Sequence, residues 1–192
     1  YPFLEIIIVD DQSKDNTLNI AYELARRDGR VKVIAADKNG GPAAARNIGL
    51  NSANGQWIAV VDSDDEILPE RIAAMVAAGQ GGADIVCDNL CYITVPDMRE
   101  RPYIPATSDV FGPLGLETFI LSHRRIVDIP NLGFLKPLIR RETLEKKNIR
   151  YKTDLKIGED AMLIMDLMAH GARAVLLPDA MYRYFRHAGS IS

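Results

Sequence analysis

The run Ile6-Ile7-Ile8-Val9, framed by Glu5 and Asp10, constrains the fold more than any other stretch of this chain. A β-branched run without polar alternation suits a strand buried on both faces, the situation of a parallel sheet covered by helices. The run ends in two carboxylates, Asp10 and Asp11, and a turn-rich segment, Gln12 to Asn16, follows. From Thr17 to Arg27 the residues Leu18, Ala21, Tyr22, Leu24 and Ala25 fall on one helical face, and Gly29 ends the pattern. A strand followed by a helix is the repeating unit of an α/β sheet.

The unit recurs. A strand from Val31 to Ala36, a glycine loop, a helix from Pro42 to Ser52 with proline in its first turn, and a strand from Trp57 to Asp62 follow in order. A helix from Pro69 to Gln80, a Gly81-Gly82 break and a strand from Asp84 to about Val95 complete the regular half. This alternation predicts a doubly wound α/β architecture with a mostly parallel sheet. Pro96 to Pro113 holds four prolines and reads as a long loop or edge excursion within one domain. Beyond it the pattern gives helices at Leu114 to Ser122, Arg141 to Lys147 and Glu159 to His170, a short segment Gly133 to Ile139, and a strand Ala174 to Leu177. A buried strand as early as residue 5 ordinarily has a neighbour on each side, so this reading expects an N-terminal strand and helix to be missing.

Composition removes several classes of function. With 192 residues, 47% of them hydrophobic, the chain can bury a core without disulfides or structural metals. A net charge of -3, with Lys and Arg scattered among acids, offers no concentrated basic surface for nucleic acid. Cys87 and Cys91 lack a second cysteine pair or a nearby histidine to complete a zinc site, and read as reduced core residues. The apolar runs are of strand length, far short of the roughly 20 residues of a membrane span. With no signal peptide visible, the expected compartment is cytosolic, with peripheral contact at a membrane left open.

In open α/β sheets ligands sit beyond the carboxyl ends of the strands. Asp10 and Asp11 stand at one such end, where a carboxylate can accept from a base N–H or a ribose hydroxyl; Asp11, Ser13 or Asp15 equally suits a helix cap. Asp62-Ser63-Asp64-Asp65 stands at another. Three carboxylates within four residues repel one another unless a cation compensates, and a hard divalent ion completed by a diphosphate is the natural choice. An acidic turn before the next helix is the plainer alternative. The glycine turn at Asn39 to Gly41 has neither GxGxxG nor GxxxxGK[ST], but Arg46 in the following helix could reach a pyrophosphate or base, or simply be an exposed helical arginine. Glu159 and Asp160 open an apolar helix, where the dipole favours carboxylates; one of them could also serve as a general base. His123 and His170 sit at helix ends. His187, in a polar-aromatic stretch, suits a metal ligand, a phosphate contact or a surface site.

In order, EIIIVDDQSKDNT, NGGPAAARNIGL, GQWIAVVDSDDEILPE, GEDAMLIMDLMAHG and YRYFRHAGSIS closely resemble glycosyltransferase family 2, with its GT-A fold, over nearly all of the chain. The resemblance implies an inverting sugar transfer from a nucleoside-diphosphate sugar, commonly a UDP-sugar, to a saccharide or lipid-linked acceptor in polysaccharide or glycolipid assembly. It places the donor site in residues 1–95 and the acceptor side in 96–192. It implies that Asp11, with Asp10, contacts the nucleoside near Arg46. Asp62-Ser63-Asp64 becomes the DxD motif, Asp64 holding Mn2+ or Mg2+ and Asp62 the ribose or the metal, while Asp65 meets the sugar. Asp160 matches the catalytic base, with Glu159 in support, and His187 a histidine that some members bring to the metal or diphosphate. A silent sugar-nucleotide-binding module is the rival reading, against which Asp62, Asp64 and Asp160 together count. A nucleotidyltransferase would ordinarily show a glycine-rich phosphate loop that this chain lacks.

Overall fold

The computed structural model describes residues 1–124 and 129–186. The β-branched run becomes β1 (Ile6–Asp10), which pairs in parallel with β2 (Val31–Ala35), Ile6 opposite Val31 and Asp10 opposite Ala35. Between them lies α1 (Thr17–Arg27), and α2 (Gly41–Ser52) follows β2. Of the apolar face expected on α1 only Ala21 is buried; Tyr22 and Leu24 remain exposed.

A second sheet carries the rest. Its strands are β3 (Trp57–Ala59), β4 (Glu66–Ile67), β5 (Ile85–Thr94), β6 (Arg99–Pro102), β7 (Gly112–Leu114), β8 (Leu138–Arg140) and β9 (Ala174–Arg186). They run in the order β3-β8-β5-β9-β4, with β6 beside β5 and β7 beside β9. The helices are α3 (Arg71–Gly79), α4 (Leu116–His123), α5 (Arg141–Lys146) and α6 (Glu159–Ala169). The sheet is mixed: β5 and β9 are parallel, while β3, β4, β6, β7 and β8 pair antiparallel with their neighbours. The proline-rich stretch, read as a long loop or an edge excursion, takes the second form: β6 folds back on β5 and β7 lies along β9.

The last strand runs nine residues past its expected end at Leu177. Pro178 interrupts the ladder, and the register shifts around Asp88 and Asn89 of β5. There the Asn89 amide replaces lost backbone pairing: its Oδ1 accepts from the N–H of Leu90 and Ile104, and its Nδ2 donates to the Ile104 carbonyl. A proline therefore ends a strand in the sequence pattern but only dents it in the fold. This continuation carries Tyr182 to the site described below.

The core forms along β5, where Ile85, Val86, Cys87, Leu90 and Ile93 are all fully buried. Phe119 of α4 and Ile164 and Leu167 of α6 pack in the larger cluster, and Met75 of α3 joins Val86, Leu138 and Met181 in a smaller one. Each such side chain contributes about 1.5–3 kcal/mol by leaving water. Burial pushes the Cys87 thiol up to about 12, as suits the inert core residue expected. No helix among the described residues is long and apolar enough to cross a membrane.

Among the described residues β1 pairs only with β2 and β3 only with β8. Between these two strands lies an apolar cleft of about 600 Å³, lined by Ile7, Val9, Trp57, Ile58, Ile72 and Val76, with Arg46 also on its wall. Trp57 is half-buried there, with the Arg140 guanidinium 4.3 Å from its ring centroid. Arg140 Nη2 donates to the carbonyls of Gly79 and Ala83. A Cβ added at Gly79 would stand 2.4 Å from Trp57 Cη2. Gly79→Ala is therefore expected to destabilise the fold by about 1–3 kcal/mol through overpacking, despite the roughly 1 kcal/mol of helix propensity alanine gains. A lowered denaturant midpoint at unchanged slope is the expected reading; a raised midpoint would mean that the ring yields freely.

Candidate active site

Four chain segments meet beyond the end of β3. α2 contributes Arg46, the turn after β3 contributes Asp62, the approach to β8 contributes Lys136, and the first turn of α6 contributes Glu159 and Asp160. Arg46 Nη2 donates to Asp62 Oδ1 at 2.8 Å, and its Nη1 to Glu159 Oε1 at 2.6 Å, with Asp160 Oδ1 at 3.4 Å. Lys136 Nζ lies 2.7 Å from Asp62 Oδ2 and 2.9 Å from Asp160 Oδ2. Two cations and three carboxylates thus close a ring in which Asp62 and Asp160 are each held by both cations.

Charges this far from water persist only when paired, and the pairing sets the protonation states. Burial alone would push the Asp62 carboxyl up, but Lys136 and Arg46 together hold it below the ordinary carboxylate range. Burial works against the Lys136 ammonium as well, yet Asp160 and Asp62 outweigh it and raise the pKa. Both groups stay charged near neutral pH. Tyr151 closes the floor: its ring lies 5.5 Å from the Arg46 guanidinium, and burial, reinforced by Asp160, keeps its hydroxyl protonated. The Asn47 amide clamps the Tyr151 backbone, donating to its carbonyl and accepting from its N–H at 2.8 and 2.9 Å.

The remaining acids of the turn divide by role. Asp65 fastens the turn to β9: its Oδ2 accepts from the Tyr182 hydroxyl at 2.7 Å and its Oδ1 from the Phe185 N–H at 3.0 Å. The Tyr182 hydroxyl in turn accepts from the Asp62 N–H at 3.1 Å. Each Asp65 oxygen thus accepts one hydrogen bond from β9 and keeps acceptor capacity for the sugar contact that the resemblance implies. Asp64 is exposed, and among the described residues its carboxylate has no hydrogen bond or ion pair.

Asp10 and Asp11 stand at the end of β1, outside this ring. Asp11 accepts from the N–H groups of Gly40 and Gly41 at 2.9 and 2.7 Å and so ties the glycine turn to the end of β1. Gly41 has φ +78, which suits glycine there. Asp10 is buried, accepts from the Ser13 N–H through Oδ2, and leaves Oδ1 buried without a partner among the described residues. His187 lies outside the described residues. Among those described, no group of three His, Cys, Asp or Glu side chains is placed to hold a metal ion. His123 and His170 complete helix ends, their Nδ1 atoms bonded to the carbonyls of Phe119 and Asp166.

The sequence reading brought Arg46, Asp62, Glu159 and Asp160 forward, and the fold unites them. It missed Lys136, Tyr151 and Tyr182. A signal existed for Lys136: it alone is charged in Leu132 to Ile139, and a cation in an apolar run needs a carboxylate brought from elsewhere. Beneath the site, Arg71 and Asp88 are fully buried and paired, Nε to Oδ2 at 2.9 Å and Nη2 to Oδ1 at 2.8 Å. Arg71 Nη2 also donates to the Lys136 carbonyl, and its guanidinium lies 5.0 Å from the Tyr182 ring centroid.

Comparison with known proteins bears on this geometry. The family described as "Glycosyl transferase family 2" matches residues 1–159. The chain is 39% identical over 190 residues to succinoglycan biosynthesis protein ExoO of Rhizobium meliloti strain 1021, covering 98% of this chain and 54% of the relative. It is 32% identical over 194 residues to succinoglycan biosynthesis protein ExoU of the same strain, covering 98% and 55%. Among solved structures, S. aureus TarS 1–349 in complex with UDP-GlcNAc superposes with TM-score 0.75 at 26% identity, covering 97% of this chain and 50% of that one. The chain thus spans about half the length of the relatives it matches.

Proposed function

The chain belongs to glycosyl transferase family 2 and has its GT-A fold, and from that premise we propose that the ring of Arg46, Asp62, Lys136, Glu159 and Asp160 is the reaction centre of an inverting, metal-assisted sugar transfer. The observation that carries this reading is the placement of Asp160 at the N-terminus of α6, tied through Lys136 to the turn that bears Asp62 and Asp64. An acid on the acceptor side and an acidic turn on the donor side share one cation.

In the transfer, the acceptor hydroxyl gives its proton to Asp160 as its oxygen attacks the anomeric carbon. The new C–O bond forms on the face opposite the bond to the diphosphate, which breaks and takes its electron pair with it. One displacement inverts the centre without a covalent enzyme intermediate. Arg46 and Lys136 supply positive charge beside the departing diphosphate. Asp64, the carboxylate left open, fits a divalent ion, because Mg2+-type sites take one or two carboxylates and complete their shell with substrate phosphates. Asp64 would hold Mn2+ or Mg2+, and the ion would there add to the neutralisation of the leaving group. Asp10 Oδ1, without a partner among the described residues, suits a donor group of the nucleoside at the end of β1.

The UDP-GlcNAc in the TarS complex supports a UDP-sugar donor, and the succinoglycan relatives support an acceptor in polysaccharide assembly; a saccharide or lipid-linked acceptor, reached with peripheral contact at a membrane, belongs to the same proposal. Incubating the protein with nucleoside-diphosphate sugars, with and without Mn2+, tests the reading. Metal-dependent release of one nucleoside diphosphate is expected. Donor binding with no turnover under any acceptor or metal condition would favour a silent binding module instead.

A further inference from the structure

We propose that Lys136 is a catalytic residue that exchanges partners: it holds Asp160 in the free protein and turns to the donor's diphosphate when the donor binds, keeping its hold on Asp62 throughout. The proposal rests on the transferase reading above and assigns a role within it.

The ring holds a conflict. A general base must attract a proton, yet both Asp160 oxygens face cations, Arg46 Nη1 at 3.4 Å and Lys136 Nζ at 2.9 Å. An attacking acceptor hydroxyl needs one of these oxygens for its own hydrogen bond. One cation has to move away, and the two differ in freedom. Arg46 is fixed by its hydrogen bonds to Asp62 and Glu159 and by the Tyr151 ring. Lys136 carries a compact ammonium on a flexible four-carbon stem, with two of its three N–H groups directed at Asp62 and Asp160.

The backbone below confines that motion to the side chain. The Lys136 carbonyl accepts from Arg71, which is itself locked to Asp88, and all three side chains are buried. Asp62 holds the other contact of the ammonium, two residues from the open Asp64. A diphosphate arriving at that turn adds negative charge on the Asp62 side and so draws Nζ off Asp160. The base is released at the moment the leaving group gains its counter-charge.

The test compares binding of UDP and uridine at fixed Mn2+ by calorimetry for the wild type, Lys136→Met, Lys136→Gln and Lys136→Arg. Taking the UDP-to-uridine affinity ratio within each variant separates a phosphate contact from a fold defect, and the glutamine variant keeps hydrogen-bonding capacity without charge. Loss of one charge-assisted contact should lower that ratio by about tenfold or more in the methionine and glutamine variants, with uridine affinity unchanged and the arginine variant near wild type. A ratio equal to wild type in a folded Lys136→Met or Lys136→Gln protein would overturn the proposal. Failure of the wild type itself to prefer UDP over uridine would sink the transferase reading, and this inference with it.

Discussion

Asp160→Asn is expected to lower kcat by about 10²- to 10⁴-fold, the usual contribution of a positioned proton acceptor, while leaving donor affinity within a few-fold of wild type. The asparagine has the same shape, and its amide oxygen can still accept from Lys136, so the ring keeps most of its geometry. What it cannot do is take up a proton. Glu159→Gln is the internal control, because Glu159 meets Arg46 and is one residue removed from the proposed proton path. Its loss should act on donor KM more than on kcat. Equal kcat losses in the two variants would assign both acids a supporting role and remove Asp160 as the base. Undiminished turnover in Asp160→Asn would place the proton acceptor elsewhere.

Much of this site was legible in the sequence because each acid stands at a point where local pattern speaks. Asp62 ends an apolar strand run, Glu159 and Asp160 begin an apolar helix, and Arg46 follows a glycine turn. Which of these acids are committed elsewhere was not legible, because that depends on partners distant in sequence. Asp65 is taken up by Tyr182, 117 residues away, and Asp11 by Gly40 and Gly41, about 30 residues away. The family resemblance, not the local pattern, set Asp64 apart from its neighbours; in the structure β9 reaches Asp65, and among the described residues Asp64 has no hydrogen bond or ion pair. The parallel character of the sheet was overestimated for a related reason. β-branched runs reveal burial on both faces, but strand direction is set by connections such as the β5-β6 turn, whose signal is a proline-rich stretch that reads equally as a loop.

Arg71 → Met is expected to destabilise the fold by about 3–5 kcal/mol, since it leaves the fully buried Asp88 carboxylate without its cation. Against a domain stability of roughly 5–15 kcal/mol this is a large share, and it will register as a shifted denaturation midpoint. The double variant Arg71→Met/Asp88→Leu removes both charges and should recover most of the loss, because buried ion pairs are often no more stabilising than apolar side chains of similar volume. Recovery of the fold without recovery of turnover is then the expected pattern. Lys136 would lose the donor to its carbonyl, and Tyr182, which aligns Asp62 and Asp65, would lose the guanidinium beneath its ring. A double variant that is both stable and fully active would mean that the pair serves the core alone. A stable but slow one would mean that a buried charge pair, invisible at the surface, is retained for the alignment of the groups above it.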